Sequence, residues 1–466
     1  MPPLLRPGAD SGRPAVNGPM RRLSRLALVT ALVALVAAPC AAVQPDSFSG
    51  VERIVAVGDV HGGYDEFVAI LRAARVIDTR NRWSGGRTHL VQTGDLVDRG
   101  PGSRKVMDLM MRLETQALAA GGRVHALLGN HEVMNLTGDL RYTSAAEFAA
   151  FATTRSADVR DRAYARLADP ARRDEPAYRE QWQKEHPLGW VEHRQAFGPG
   201  GRYGAWIRQH HAVVKINGFL FLHGGIGPSV SARTLRDINQ SVRDEIQQRD
   251  VPTEGLAVGR AGPLWYRGLA QGAEDELRSH VDRVLADYGV AHIVVGHTTT
   301  PGAVVPRFGG KVLLIDVGLS QYYGAHPACL VVQRGTAFAL HRGRLLPLPV
   351  DERASVVAYL RSAAALDPQP SPLVPLIEAG GRLPIGTGAP EKRWEEGEIS
   401  TKSLKSLAEG EGFEPPVRFP VLRFSRPPPS TARPSLRRPL QGSGHKDQGA
   451  GAWGQGGSLI PINSVP

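Results

Sequence analysis

Short apolar runs rich in Val, Ile and Leu recur between Val51 and about Leu346, and most of them stop at a glycine or a polar residue. The clearest are "RIVAVGD" from Arg53, "THLVQTGD" from Thr88, "RVHALLGN" from Arg123, "HIVVGH" from His292 and "VLLIDVG" from Val312. Stretches with helical spacing separate several of them, notably "YDEFVAILRAAR" from Tyr64 and "SRKVMDLMMRLETQALAA" from Ser103. Strands interleaved with helices predict a layered α/β core. The runs "AVVKI", "FLFLHGG", "ACLVVQRG" and "TAFALHRG" follow one another without long helices between them, so part of the pairing is expected to be antiparallel. The predicted fold is a mixed β-sheet sandwich flanked by helices, over residues 51–346.

Two regions depart from this rhythm. Residues 139–200 are Ala- and Arg-rich with helical spacing, and predict a helical insertion over one face of the core that influences the substrate entrance. Beyond about Pro390, Pro, Gly, Ser and Arg dominate and periodicity is lost, so 391–466 is expected to be a disordered tail.

At 466 residues and 42% hydrophobic, the chain can bury a large core. The formal charge of +11 is spread unevenly, and Arg418 to Arg438 in the tail holds six Arg and no acidic residue. A solvated extension accounts for that run, and no specific nucleic-acid binding is read from it. Arg21, Arg22 and Arg25, the apolar run Leu26–Ala38 and the small residues Ala41 and Ala42 form the three regions of a secretory signal peptide, within residues 1–42. Export to a periplasm or secretion is the expectation, with no transmembrane domain in the mature chain; a membrane anchor is the alternative reading. Cys40 would leave with this segment, so Cys329 would have no disulfide partner. Nothing in the sequence sets an oligomeric state.

The chemistry sits at strand ends. Asp59 and His61 follow one apolar run, Asp95, Asp98 and Arg99 a second, and Asn130, His131 and Glu132 a third, while His223 and His297 close two later ones. In open α/β sheets the carboxyl ends of strands meet at one crevice, so residues remote in sequence can converge there. Taken singly, each His reads more readily as a packed or capping residue than as a ligand. Together, carboxylates, an amide and imidazoles without thiolates are donors for first-row divalent metals such as Mn, Fe and Zn.

The strings "GDVHG", "GDLVDRG", "GNHE", "HGG" and "GH" resemble the metal-binding signature of calcineurin-like metallophosphoesterases, and Asp98-Arg99 resembles the phosphoprotein phosphatase branch. The flanking strings "GNHEVMNLTGDLRY", "WIRQHHAVVKINGFLFLHGGI", "GPLWYRG" and "IDVGLSQYYG" are most similar to bacterial Shewanella-like protein phosphatases, over roughly Arg53 to Gly343. The resemblance implies two divalent metal ions, with Asp59 and His61 on the first, Asp95 bridging, and Asn130, His223 and His297 on the second. It implies hydrolysis of phosphate monoesters by a hydroxide bridging the metals, and pairs His131 with Asp98 as general acid. Arg99 is the implied phosphate clamp, suited to it by its bidentate fork. Arg267 is a candidate second clamp or a surface Arg beside an aromatic. Tyr322 and Tyr323 either overhang the site or divide between core and surface, and Glu132 reads as a structural hydrogen-bonding group.

The expected partner is a phosphorylated protein, on tyrosine or on serine and threonine. A small-molecule phosphohydrolase acting on nucleotides or dinucleoside polyphosphates is the alternative, since one centre cleaves many phosphate esters. An inactive metal-binding interaction module is the reading from another class; it requires missing ligands, and none is missing. Removing the chain after residue 390 is expected to leave phosphatase activity unchanged, measured on the shortened and full chains side by side.

Overall fold

The computed structural model describes residues 45–248, 251, 254–349 and 353–383. The expected signal segment 1–42 and tail 391–466 lie outside the described residues. The strands run in chain order as β1 (Ser47–Phe48), β2 (Arg53–Val57), β3 (His89–Gln92), β4 (Arg123–Ala126), β5 (Val213–Ile216), β6 (Phe219–Leu222), β7 (His292–Val295), β8 (Val305–Arg307), β9 (Val312–Leu314), β10 (Ala328–Gln333), β11 (Thr336–His341) and β12 (Arg344–Pro347). They form two six-stranded mixed sheets, ordered β1-β5-β6-β7-β9-β8 and β12-β11-β10-β2-β3-β4. As the lack of long intervening helices predicts, β5–β6 and β10–β11 pair antiparallel.

Each sheet contains a parallel trio, central in the first and running out to the edge strand β4 in the second. β2, β3 and β4 end in register at Val57, Gln92 and Ala126, and β6, β7 and β9 end at Leu222, Val295 and Leu314. These strands are almost wholly buried, which is why they read as unbroken apolar runs rather than alternating ones. One hydrophobic core takes in side chains of both sheets.

The helices begin with α1 (Tyr64–Ala73) and α2 (Ser103–Ala119), which connect β2, β3 and β4. In α2 the buried Val106, Met107, Leu109, Met110, Leu113 and Ala117 fall three or four apart, the single stripe that packs on the core. α3 (Asn130–Thr137) starts at the end of β4 and stops at Gly138, whose φ of +89° is left-handed. Within the 139–200 region lie α4 (Ala145–Phe151), α5 (Ser156–Leu167), α6 (Pro176–Glu185) and α7 (Trp190–Phe197). They share a small core of their own that includes Phe148, Tyr164, Leu167, Trp182 and Trp190. Then come α8 (Arg202–Ile207), α9 (Leu235–Gln247), α10 (Gly268–Gln271), α11 (Glu274–Tyr288), α12 (Arg353–Ala364) and α13 (Val374–Glu378). Among the described residues no helix is long and apolar enough to cross a membrane.

The main core extends past the 51–346 span on both sides. β1 pairs with β5, and Tyr359, Leu360, Ala363, Leu373 and Leu376 of the C-terminal helices and their connection are buried in the same cluster. Asp367 fastens this end. Its carboxylate accepts from Arg342 Nε at 2.6 Å, Ser371 Oγ at 2.7 Å and His341 Nε2 at 3.0 Å. Burial opposes its ionisation, but these donors outweigh burial and hold the carboxyl below its ordinary value. Its stabilising contribution is therefore present above the ordinary carboxylate pKa and is lost as pH falls through the lower native one. Replacing Asp367 by Ala is expected to cost about 2 kcal/mol or more, the loss of charge-assisted hydrogen bonds, read from denaturant unfolding at neutral pH. A chain ended at 350 is expected to unfold at lower denaturant than one ended at 383.

Candidate metal centre

All six parallel strands in the two trios deliver a polar side chain just past their carboxyl ends. Asp59 follows β2, Asp95 follows β3, Asn130 and His131 follow β4, His223 follows β6, His297 follows β7 and Asp316 follows β9. The two sheets are joined at this edge by hydrogen bonds: the His297 N–H donates to Asp59 Oδ1 at 3.1 Å, and His223 Nδ1 to the Thr93 carbonyl at 2.9 Å. Close backbone approach makes the convergence possible. A Cβ at Gly94 would lie 2.5 Å from Gly129 N, and the φ of +101° there is itself left-handed. His61, Asp95, Asp98, Arg99 and His297 have left-handed φ between +45° and +70° without being glycine, a concentration of backbone strain typical of functional sites.

Asp95 is the hub. Its Oδ1 accepts the His131 N–H at 2.9 Å. Its Oδ2 faces three imidazoles: His223 Nε2 at 3.3 Å, His61 Nε2 at 3.7 Å and His131 Nε2 at 3.8 Å. Asn130 Oδ1 stands 2.9 Å from His223 Nε2, and Asp59 Oδ2 3.9 Å from His61 Nε2. With His223 Nδ1 donating to Thr93 and His61 Nδ1 to the Val97 carbonyl at 3.0 Å, the nitrogen each ring turns toward these oxygens is Nε2, the one free to offer a lone pair to a cation. His297 Nε2 reaches the Trp265 carbonyl at 3.2 Å, which leaves its Nδ1 as the lone-pair nitrogen. Donor nitrogens turned outward to carbonyls and lone pairs turned inward are the arrangement of metal-ligating histidines.

Two sets satisfy the spacing of a cation site: His61, Asp95 and His131, and Asp95, His223 and His297, each with ligand atoms within 4.8 Å of one another. Burial pushes His61 down to about 3 and His297 well below its usual value, so both rings stay neutral and able to ligate. Burial, together with Asp316 and Asp95, raises the Asp59 carboxyl well above its ordinary value. Burial also opposes the ionisation of Asp95, but His223, His131 and His61 outweigh it and hold that carboxyl well below the usual range. Buried carboxylates and inward lone pairs together fit divalent cations.

His131 differs from the other imidazoles. Its Nδ1 lies 2.6 Å from Asp98 Oδ2, and Asp98 also accepts from Asn135 Nδ2 at 3.0 Å and Thr143 Oγ1 at 2.8 Å. Burial alone would lower the His131 pKa, but Asp95 and Asp98 outweigh it and raise it, so this ring favours the imidazolium.

Arg99 sits beside it inside a collar of phenol rings. The guanidinium carbon is 4.1 Å from the Tyr142 ring centre, 5.0 Å from Tyr322 and 5.8 Å from Tyr323, and Nη1 donates to the Tyr322 hydroxyl at 3.1 Å. Its Nε is buried without a hydrogen-bond partner. Tyr322 is 39% exposed, so the collar opens to solvent. Arg267 is brought to the edge, where Nη1 donates to the His297 carbonyl at 2.5 Å and to Thr298 Oγ1 at 3.1 Å. Glu132 has a structural place: its carboxylate accepts the backbone N–H groups of Asp95, Leu96 and Gly129 at 2.7–2.8 Å and fixes the Asp95 loop.

Sequence reasoning did not single out Asp316. Its Oδ2 accepts from Thr299 Oγ1 at 2.8 Å and its Oδ1 from the Gly318 N–H at 3.1 Å, while burial raises its carboxyl. The signal was present, since "VLLID" ends an apolar strand in an acid as "RIVAVGD" and "THLVQTGD" do.

A family model for calcineurin-like phosphoesterases matches residues 52–301. An uncharacterized protein of Schizosaccharomyces pombe is 31% identical over 63% of this chain and 82% of its own length. Shewanella-like protein phosphatase 1 of Plasmodium berghei is 26% identical over 58% of this chain and 68% of its own. Among solved structures, the cold-active protein-tyrosine phosphatase of a psychrophilic Shewanella species superposes with a TM-score of 0.51 at 29% identity, covering 66% of this chain and 83% of that one. On this match over more than half of its length, the chain, whose six strand ends converge on an aspartate hub, belongs to the calcineurin-like phosphoesterases, in their phosphoprotein phosphatase branch, and is a metal-dependent phosphatase.

Proposed function

We propose that this enzyme hydrolyses phosphate monoesters on proteins, phosphotyrosine foremost, with His131 as the acid that protonates the leaving oxygen. The observation that carries the reading is the 2.6 Å His131–Asp98 pair beside Arg99 in its phenol collar. An imidazole with Nδ1 held by a carboxylate and a raised pKa keeps a proton on Nε2, where a ligand would need a lone pair. His131 is therefore assigned to acid chemistry, although its Nε2 also has the spacing of a cation site.

The residues that would hold the two ions are Asp59 and His61 on one, Asn130, His223 and His297 on the other, with Asp95 between them. Mn, Fe or Zn suit this oxygen and nitrogen set. Bound there, such ions supply Lewis acidity toward phosphate oxygens and bring the pKa of water to about 7. The protein supplies the rest. Arg99 offers its fork to the phosphate oxygens, the collar of Tyr142, Tyr322 and Tyr323 provides flat apolar walls for an aromatic ester, and His131 gives its proton to the departing oxygen as the P–O bond breaks. The Shewanella relative's description as a protein-tyrosine phosphatase supports an aryl ester.

Phosphotyrosine peptides are expected to be hydrolysed faster than phosphoserine peptides or dinucleoside polyphosphates at equal concentration with Mn present; a preference for nucleotides would overturn the protein-phosphatase reading. Asp95→Asn is expected to lose bound metal, by elemental analysis, and turnover together. His131→Asn is expected to lower kcat by about 10²-fold or more on a poor leaving group such as phenyl phosphate, and far less on 2,4-dinitrophenyl phosphate. Equal losses on both esters would remove His131 from the acid role. Because the acid must be protonated, kcat on phenyl phosphate is expected to fall as pH rises through the raised His131 pKa. Asp98→Asn, which removes one of the two carboxylates that raise it, moves that fall to lower pH.

A further inference from the structure

The Asp98–Arg99 turn sets two functional groups with one piece of backbone, since Asp98 holds His131 and Arg99 is the proposed phosphate clamp. Its φ values are +69° and +70°. Two successive left-handed residues that are not glycine are unfavourable by roughly 1–2 kcal/mol each, so something outside the turn must hold it. The groups that do so come from the 139–200 region. The Arg99 N–H donates to the Tyr142 carbonyl at 3.1 Å. The Asp98 N–H donates to Glu147 Oε1 at 3.0 Å.

Glu147 lies in the first turn of α4 and is buried, 2% exposed. Helix capping explains half of its contacts: Ser144 Oγ accepts the Glu147 N–H at 3.3 Å, and Glu147 Oε2 accepts the Ser144 N–H at 3.0 Å. The other half points away from its own helix. Oε1 accepts from Asp98 N–H and from the hydroxyl of Ser103 at the start of α2. A capping carboxylate at a surface helix end needs neither partner, and solvent would serve it as well. The same segment also supplies Thr143 Oγ1 to Asp98 and the Tyr142 ring, which lies tilted beside His131 with ring centres 5.1 Å apart and also faces the Arg99 guanidinium.

We infer that Glu147 is a positioning residue for the reaction: its carboxylate anchors the left-handed Asp98–Arg99 turn from behind, so that the helical insertion completes the acid half of the site rather than only covering it. Glu147 touches neither phosphate nor metal ligand and acts through Asp98. The inference rests on the assignment of His131 as the acid.

The test is a double-mutant cycle between Glu147→Ala and Asp98→Asn in the full, Mn-loaded chain, with Glu147→Gln as the conservative variant. Glu147→Ala is expected to lower kcat on phenyl phosphate by about 10-fold or more while changing kcat on 2,4-dinitrophenyl phosphate by less than about 3-fold, with bound metal unchanged. Glu147→Gln keeps an amide oxygen for the Asp98 N–H and is expected to recover most of the phenyl phosphate rate. In the Asp98→Asn background the Glu147→Ala loss is expected to shrink to less than about 3-fold. Losses that multiply independently, or that fall equally on both esters, would show a merely structural role and overturn the inference. If Glu147→Ala does not fold, Thr143→Val, which removes the other contact of this segment with Asp98, carries the same cycle, with Thr143→Ser as the rescuing partner. A wild-type chain whose His131→Asn variant shows no leaving-group dependence would defeat the acid assignment itself, an outcome distinct from additivity in the cycle.

Discussion

Acceptors facing acceptors around Asp95 Oδ2 are the constraint on which this fold is organised. An aspartate oxygen, the Asn130 carbonyl and the Nε2 lone pairs of His61 and His223 point inward, with Asp59 beside them, and their own donors are turned out to Val97 and Thr93. Such a group is costly to bury unless positive charge enters it. The surrounding structure reads as what is needed to assemble it anyway. Glu132 straps the Asp95 loop with three hydrogen bonds, Gly94 lets two loops approach within contact distance, and left-handed backbone turns His61, Asp95 and His297 inward.

Electrostatics then separate the imidazoles by task. Burial keeps His61 and His297 neutral, the form that ligates. The same burial acts on His131, but the carboxylates of Asp95 and Asp98 override it and keep its proton in place. One residue type thus serves two chemistries a few ångströms apart, and the hydrogen-bond partner of the second ring nitrogen makes the difference: a carbonyl for the ligands, a carboxylate for the acid.

Much of this was legible in the sequence because the fold repeats one local grammar. A buried parallel strand is a continuous apolar run, and the turn past its carboxyl end is where a glycine and a polar residue appear together. Five such ends gave the candidate ligands. Asp316 obeyed the same grammar but lacked a glycine or histidine beside it, and so read as an ordinary strand-end acid. Glu147 was hidden for another reason: Ser144-x-x-Glu147 is a complete helix-capping signal, and nothing local shows that one carboxylate oxygen reaches Asp98, 49 positions earlier. The packing of α12 and α13 was likewise beyond periodicity, since it depends on Asp367 finding Arg342 and His341 in three dimensions.

The centre lies on a seam between two halves of the fold, one sheet on each side. Asp59, His61, Asp95 and Asn130 belong to strands of one sheet, and His223 and His297 to strands of the other, with the joining hydrogen bonds running through Asp59 and Thr93. Neither half carries a full set of ligands, so neither folded separately would have a binuclear centre to offer. Metal occupancy is therefore a report on tertiary assembly as a whole, and a chain severed between Asn130 and His223 would regain it only by reassociating, as in a split-protein reporter.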